Sequence, residues 1–266
     1  ASLRKLANVV TIESASYEVL VEKGETAAGW ATETGAPETA SGQIERISIP
    51  LHELSAMPKA SQRLLDDAAF DVEAWLAERI ADKFTRSEAA AFITGDGVAK
   101  PKGIMAYPTA PNASAGDGKI GVIETGTMGG FDTGAPADAL IDLIYALGAE
   151  YRVNASFVMN SKTAAAIRKM KDADGRFLWT DALAAGQTPQ LLGYPVLISE
   201  DMPDIGTDAK AVAFGDFRAA YTIVERPDLR VLRDPFSAKP HVLFYATKRV
   251  GGGVTDFRAI KLLQFA

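Results

Sequence analysis

Apolar and polar positions divide the chain into a strand-rich start, one long helix, a mixed middle and a strand-rich end. Residues 17–22 (YEVLVE) are dense in β-formers. Residues 43–51 (QIERISIPL) set Ile44, Arg46 and Ser48 against Glu45, Ile47 and Ile49, a broken alternation that suits an exposed ribbon. Between them, 24–42 holds four glycines, Pro37 and many Thr and Ala, and its only large apolar side chain is Trp30. Such a stretch cannot build a core, and a structureless loop of about 20 residues inside a compact domain counts against its own assignment. Two readings stay open. One is a projecting hairpin that finds its partner on another subunit, with Trp30 as an aromatic anchor. The other is a disordered surface loop carrying a single tryptophan.

Val72, Trp75, Leu76, Ile80 and Phe84 recur at helical spacing and predict a long helix over about 61–92, with Ser61 as N-cap or Asp71 starting its main body. Asp66, Asp67, Asp71, Glu73 and Glu78 crowd the first half, and Arg79, Lys83 and Arg86 follow, an order that complements the helix dipole and reads as a solvated face. Thr94-Gly95-Asp96-Gly97 ends the helix where glycines permit left-handed geometry. Residues 108–136 are loop-like apart from a short apolar run at 120–123, and a domain boundary is placed near Pro136. Beyond it the pattern is α/β. A helix over 137–147 opens with Pro136 and Asp138, a strand spans 156–159, and Asn160 or Ser161 caps a helix to about Lys171. Strands are expected at 196–199, 211–214, 219–225, 229–233, 242–250 and 259–265, with turns at Pro227-Asp228 and between Pro235 and Pro240.

A chain of 266 residues makes one or two domains. The absence of cysteine excludes disulfides, zinc fingers, thiol nucleophiles and cysteine-held iron–sulfur centres. The two histidines, His52 and His241, are far apart, which excludes a His-rich metal helix; neither metal nor cofactor is expected. The net charge of −6 argues against a protein whose main work is gripping DNA through a basic surface, though a local patch stays open. No apolar run is long enough to span a membrane. GxGxxG, Walker A and GxSxG motifs are missing. Gly95-Asp96-Gly97 and Gly251-Gly252-Gly253 lack the lysine and helix context of a phosphate site and read as turn glycines. Asp66-Asp67 and Asp172–Asp174 read as surface and capping acids, because adjacent helical residues do not face each other. His52 reads as a surface or packed side chain.

Several segments, taken in order, resemble the major capsid proteins of tailed bacteriophages, the family named after phage Hong Kong ninety-seven. Ala28-Gly29-Trp30-Ala31-Thr32-Glu33 is similar to the family's hairpin signature, and Leu64-Leu65-Asp66-Asp67 to the start of its spine helix. Ala91–Gly97 (AFITGDG) followed by Pro101-Lys102-Gly103-Ile104 resembles the helix exit. Met170–Phe177 (MKDADGRF) resembles an axial-domain loop. Leu192-Gly193-Tyr194-Pro195-Val196, Phe214-Gly215-Asp216-Phe217 and Arg249–Val254 (RVGGGV) with Ala259-Ile260 follow at suitable spacing.

The resemblance implies an α+β phage major capsid fold. Its expected divisions are an N-terminal arm (1–16), an extended β-hairpin loop (17–58), a peripheral domain with the long spine helix and a β-sheet (59–135 and 220–249), and an axial α/β domain (136–219 and 250–266). It implies no catalysis. The expected function is self-assembly as pentamers and hexamers into an icosahedral shell around double-stranded DNA bound without sequence specificity. The setting would be a tailed phage, prophage or gene transfer agent particle assembled in a bacterial cytoplasm. Portal and scaffold or protease partners are implied, and no membrane. Subunit contacts are expected at Trp30, Glu33, Pro37, Arg63, Asp66 and Asp67, and an inward basic face at Arg79, Lys83 and Arg86. The family's lysine–asparagine cross-link is not expected, because its positions read Ala36, Pro240 and Thr247 here. The chain, which begins inside the family pattern, is expected to be the mature or ordered part of a longer precursor. The competing readings are a nanocompartment shell enclosing enzymes and, from another class, a monomeric α/β enzyme.

Overall fold

The computed structural model describes residues 2–23, 43–67, 71–116, 118–171, 177, 179, 189–227 and 229–266. After a short 3-10 turn at Leu3–Lys5 come β1 (Asn8–Thr11), β2 (Ser16–Lys23), β3 (Gln43–Pro50), β4 (His52–Ala56), β5 (Lys59–Ser61), α1 (Gln62–Asp67) and α2 (Val72–Thr94). The middle holds β6 (Thr109–Pro111), β7 (Ile120–Glu124), α3 (Asp138–Ala146), α4 (Ala149–Arg152), β8 (Ser156–Met159) and α5 (Ser161–Arg168). Then follow β9 (Gln190–Leu191), β10 (Tyr194–Ile198), β11 (Val212–Gly215), α6 (Phe217–Ala220), β12 (Tyr221–Glu225), β13 (Arg230–Ala238), β14 (His241–Val254) and β15 (Ile260–Gln264).

Both expected helix starts are used. Ser61 Oγ accepts from the Leu64 amide at 3.2 Å and opens α1, while the Asp71 carboxylate accepts from the Ala74 amide at 3.1 Å and opens α2. The single helix expected over 61–92 is therefore two helical segments. Trp75, one of the residues that recur at helical spacing, is 48 % exposed on α2. The buried stripe runs through Ile80, Phe84, Glu88 and Phe92, spaced four residues apart.

A six-stranded sheet is organised by β14, the longest strand. It pairs antiparallel with β13, β5, β4 and β12, and β12 pairs parallel with β1. Alternate β14 side chains (Val242, Phe244, Ala246) pack against Leu76, Ile80 and Phe84 of α2. The match is geometric: two strand residues advance about 6.8 Å and four helical residues about 6 Å, so the rows stay in step. Gly251, Gly252 and Gly253, read from sequence as turn glycines, lie inside this strand. A Cβ on Gly251 would meet the Pro50 carbonyl oxygen at 2.2 Å, and one on Gly252 would meet Tyr221 Oη at 2.5 Å. These glycines permit close approach within a sheet, not reversal of the chain. Of the pair after α2, Gly97 is left-handed (φ 81°), whereas Gly95 has φ −62° and is hemmed in by carbonyls of Ala91 and Pro101.

A seven-stranded mixed sheet runs β6-β7-β15-β11-β8-β10-β9. It takes β6 from the stretch that the sequence reads as loop and β7 from the short apolar run at 120–123, both before the boundary placed near Pro136. Its central strands β15, β11 and β8 are buried on both faces. Phe157, Met159, Val212, Phe214 and Leu263 face α3 and α5, while Val158, Ala213 and Leu262 join a core shared with Phe92, Tyr221 and Val254. Asn160 caps α5 by accepting from the Thr163 amide at 2.7 Å, and its amide nitrogen donates to the Met202 and Pro203 carbonyls.

β2 and β3 form a two-stranded antiparallel ribbon paired from Ser16↔Pro50 to Lys23↔Gln43, a stem about 26 Å long. Ile49 anchors its base over Gly251 and Gly253. Its far end exposes Leu20 (70 %) and Ile44 (72 %). Residues 24–42, which bear the hairpin expectation, lie outside the described residues, as do 172–176 of the axial-loop motif and Asp228.

Candidate functional site

Sequence-selected residues fall into two exposed groups. On α1, Arg63 and Asp67 are 93 % and 71 % exposed and form an i,i+4 pair with Nε 3.5 Å from Oδ2; Gln62 donates to Asp66 at 2.9 Å. The helix thus presents a charged outer edge, satisfied within itself. Trp30, Glu33 and Pro37 lie outside the described residues.

On α2, Arg79, Lys83 and Arg86 occupy one exposed row at spacings of four and three, on the side away from β14. Arg79 is 3.8 Å from Asp82 and lies over the exposed Trp75 ring at 5.7 Å. His52 opens β4 half-buried, and burial lowers its pKa below the usual imidazole value. Among the described residues no group of His, Cys, Asp and Glu is placed to hold a metal, and no helix is long and apolar enough to cross a membrane.

Sequence reading passes over a buried charge cluster. Glu88, 4 % exposed, sits where the α2 stripe continues past Phe84, and Lys248 sits where the β14 row continues past Ala246. Lys248 Nζ is 2.6 Å from Glu88 Oε1 and 3.6 Å from Glu225 Oε2. Arg4, just after the chain start, reaches Glu88 at 3.2 Å and Glu225 at 2.5 Å. The hydrogen bond from Arg4 holds the Glu225 carboxyl below its ordinary range and raises Arg4 itself. Four segments distant in sequence are thereby tied at one point. A signal was present: positions 80, 84 and 88 share one helical face, so an acid at 88 demands a cation opposite.

The comparisons with known proteins agree with this architecture. The phage capsid family model matches residues 1–265. The chain belongs to the phage capsid family. The capsid of a native GTA (gene transfer agent) particle is 67 % identical, with TM-score 0.94, over all of this chain and 90 % of that one. The major capsid protein of Escherichia phage T5 is 22 % identical over 237 residues, 84 % of this chain and 48 % of that protein, so this phage-capsid chain spans about half the length of the curated relative it matches. An encapsulin from Synechococcus elongatus PCC 7942 is 15 % identical with TM-score 0.70, covering 98 % of this chain and 86 % of that one, a likeness of fold. The α+β capsid fold expected from sequence is thus the fold observed.

Proposed function

We propose that this chain assembles as pentamers and hexamers into a closed icosahedral shell enclosing double-stranded DNA, and that it does no catalysis. The observation carrying this reading is its 67 % identity, over its whole length, to the capsid of a native GTA particle whose structure was computed with C5 symmetry. Closed shells need heterologous contacts whose rotation closes into rings. The β2–β3 ribbon supplies such a contact by laying its far end, with Trp30, Glu33 and Pro37, against a neighbour, where Arg63, Asp66 and Asp67 on α1 set register. Obligate contacts of this kind bury roughly 2,000 Å² or more. The spine helix α2 and the β14 sheet make the peripheral domain, and the seven-stranded sheet forms most of the axial one. Arg79, Lys83 and Arg86 form the modest inward basic face, and portal and scaffold or protease complete the assembly.

Light scattering and negative-stain microscopy test the shell. Polyhedral megadalton particles, or rings of five and six that build them, support it. A chain that stays monomeric under all assembly conditions ends it. Nuclease-treated particles then separate contents: protected viral DNA means a phage, host DNA a gene transfer agent, and enclosed enzyme a nanocompartment. Replacing Arg79, Lys83 and Arg86 by glutamine lowers packaged DNA without preventing assembly; unchanged packaging makes that row a solvated face only.

A further inference from the structure

Beneath the β2–β3 stem lies a cleft of about 430 Å³, walled on one side by Val21 and Ile47 and on the other by Tyr107 and Phe257. Lys261, the second residue of β15, lines it and is 9 % exposed. The lysine lies opposite Gly121 of β7. A Cβ at Gly121 would come within 2.9 Å of Lys261 Nζ and 2.8 Å of Asn112 Oδ1. The bare glycine therefore leaves the room that the ammonium and the carboxamide share.

Among the described residues no carboxylate is within ion-pair distance of Lys261. The acid whose charge it feels is Asp256, and that carboxylate is engaged elsewhere. It accepts from Tyr151 Oη at 2.6 Å and lies 3.5 Å from Arg258 Nε. Burial accordingly pushes the Lys261 ammonium down in pKa, while burial and the bond to Asp256 push the Tyr151 phenol up to about 12. Lys102, its Nζ 4.2 Å from the Tyr107 ring centroid, and exposed Lys119 add positive charge to the same lining. The described lining sets Lys102, Lys119, Arg258 and Lys261 against Glu45 and Asp256, on a chain whose net charge is −6.

We propose that this cleft receives an acidic side chain from a second copy of the chain, its carboxylate seated on Lys261. The inference rests on the shell reading above. A desolvated ammonium is costly until an anion meets it, and attraction in a dry cleft exceeds that at a wet surface. A second copy fits because the cleft is positive while the rest of the chain exposes acids, as at Asp66, Asp67, Glu73 and Glu78. The cleft also opens under the ribbon that reaches towards a neighbour. Seating a carboxylate there would join shell closure to the attitude of the stem.

Intact particles assembled from mixed light and nitrogen-15 subunits are treated with a water-soluble carbodiimide. The reagent activates a carboxyl group, and an adjacent amine displaces it to form an amide with net loss of water. The expected result is a peptide containing Lys261 joined to an Asp or Glu peptide of the other isotope. In unassembled subunits, Lys261→Met leaves melting within a few degrees of wild type and raises the concentration for half-assembly about tenfold. Particles that form normally but link Lys261 only within one copy, as to Asp256, or not at all, overturn the proposal and leave the shell reading standing. Protection of Lys261 by inorganic phosphate without any inter-copy link assigns the cleft to a free oxyanion and overturns it equally. Absence of particles refutes the shell reading, and this inference with it.

Discussion

Replacing Glu88 by glutamine probes how far the buried charge cluster holds the subunit together. The substitution keeps the volume but turns one acceptor oxygen into an amide donor and removes the charge between Arg4 and Lys248, leaving two cations to share Glu225. Removing one partner of a buried ion pair costs about 3–5 kcal/mol, chiefly because the opposite charge is stranded. Here the Arg4 and Lys248 side chains are 30 % and 22 % exposed, so water screens part of the loss. The expected destabilisation is therefore about 2 kcal/mol. Glu73 supplies the control. It lies on the same helix and pairs with Arg233 of the same sheet at 3.1 Å, but both side chains are 49 % exposed. Glu73→Gln should cost under about 0.5 kcal/mol. Urea unfolding of unassembled subunits, followed by tryptophan fluorescence and far-ultraviolet circular dichroism, reads both as midpoint shifts at constant slope. Adding Lys248→Met to Glu88→Gln removes the stranded cation, so the double variant should lose less than the sum of the singles. Equal losses for Glu88→Gln and Glu73→Gln, or strict additivity in the double variant, would refute the argument.

The same cluster has a pH signature. Glu225 has a folded pKa below its ordinary 4.5, so its contribution to stability is complete above that value and is lost as pH falls through the lower folded value. Arg4→Met removes the largest cause of the depression, so the part of the acid-induced stability loss that sets in below about 4.5 should be smaller in the variant than in wild type. Gly252→Ala forces a methyl group to 2.5 Å from the oxygen of fully buried Tyr221, which donates to the Lys102 carbonyl at 2.8 Å. A loss of about 2–3 kcal/mol is expected in the same urea assay, and a neutral result would show that the sheet yields there. Asn160→Ala removes the α5 cap and the donor to Met202 and Pro203, and should cost about 2 kcal/mol. Asn160→Asp keeps the capping oxygen but sets a carboxylate against the Met202 and Pro203 carbonyls and the Asp204 carboxylate, so its midpoint should fall at or below that of Asn160→Ala.

Local order was largely legible in the chain. The strand at 156–159, the cap at Asn160 and the two helix starts at Ser61 and Asp71 follow from periodicity and capping chemistry, which act between near neighbours. The charged faces of α1 and α2 were equally visible, because a solvated residue needs nothing from the rest of the fold. The family resemblance of the ordered motifs extended this to the fold class. Tertiary structure decided what depends on distant partners. Whether Gly251–Gly253 turn or extend depends on Pro50 and Tyr221, and whether Trp75 is buried depends on which face of α2 meets β14. Likewise Glu88 and Lys248 are 160 residues apart and acquire meaning only because a four-residue helical step and a two-residue strand step keep pace. Lys261 is an ordinary lysine in sequence. Burial, a glycine across the ladder and an acid already engaged elsewhere make it a cation awaiting an anion, and each of those conditions is set by chain segments that sequence proximity does not join.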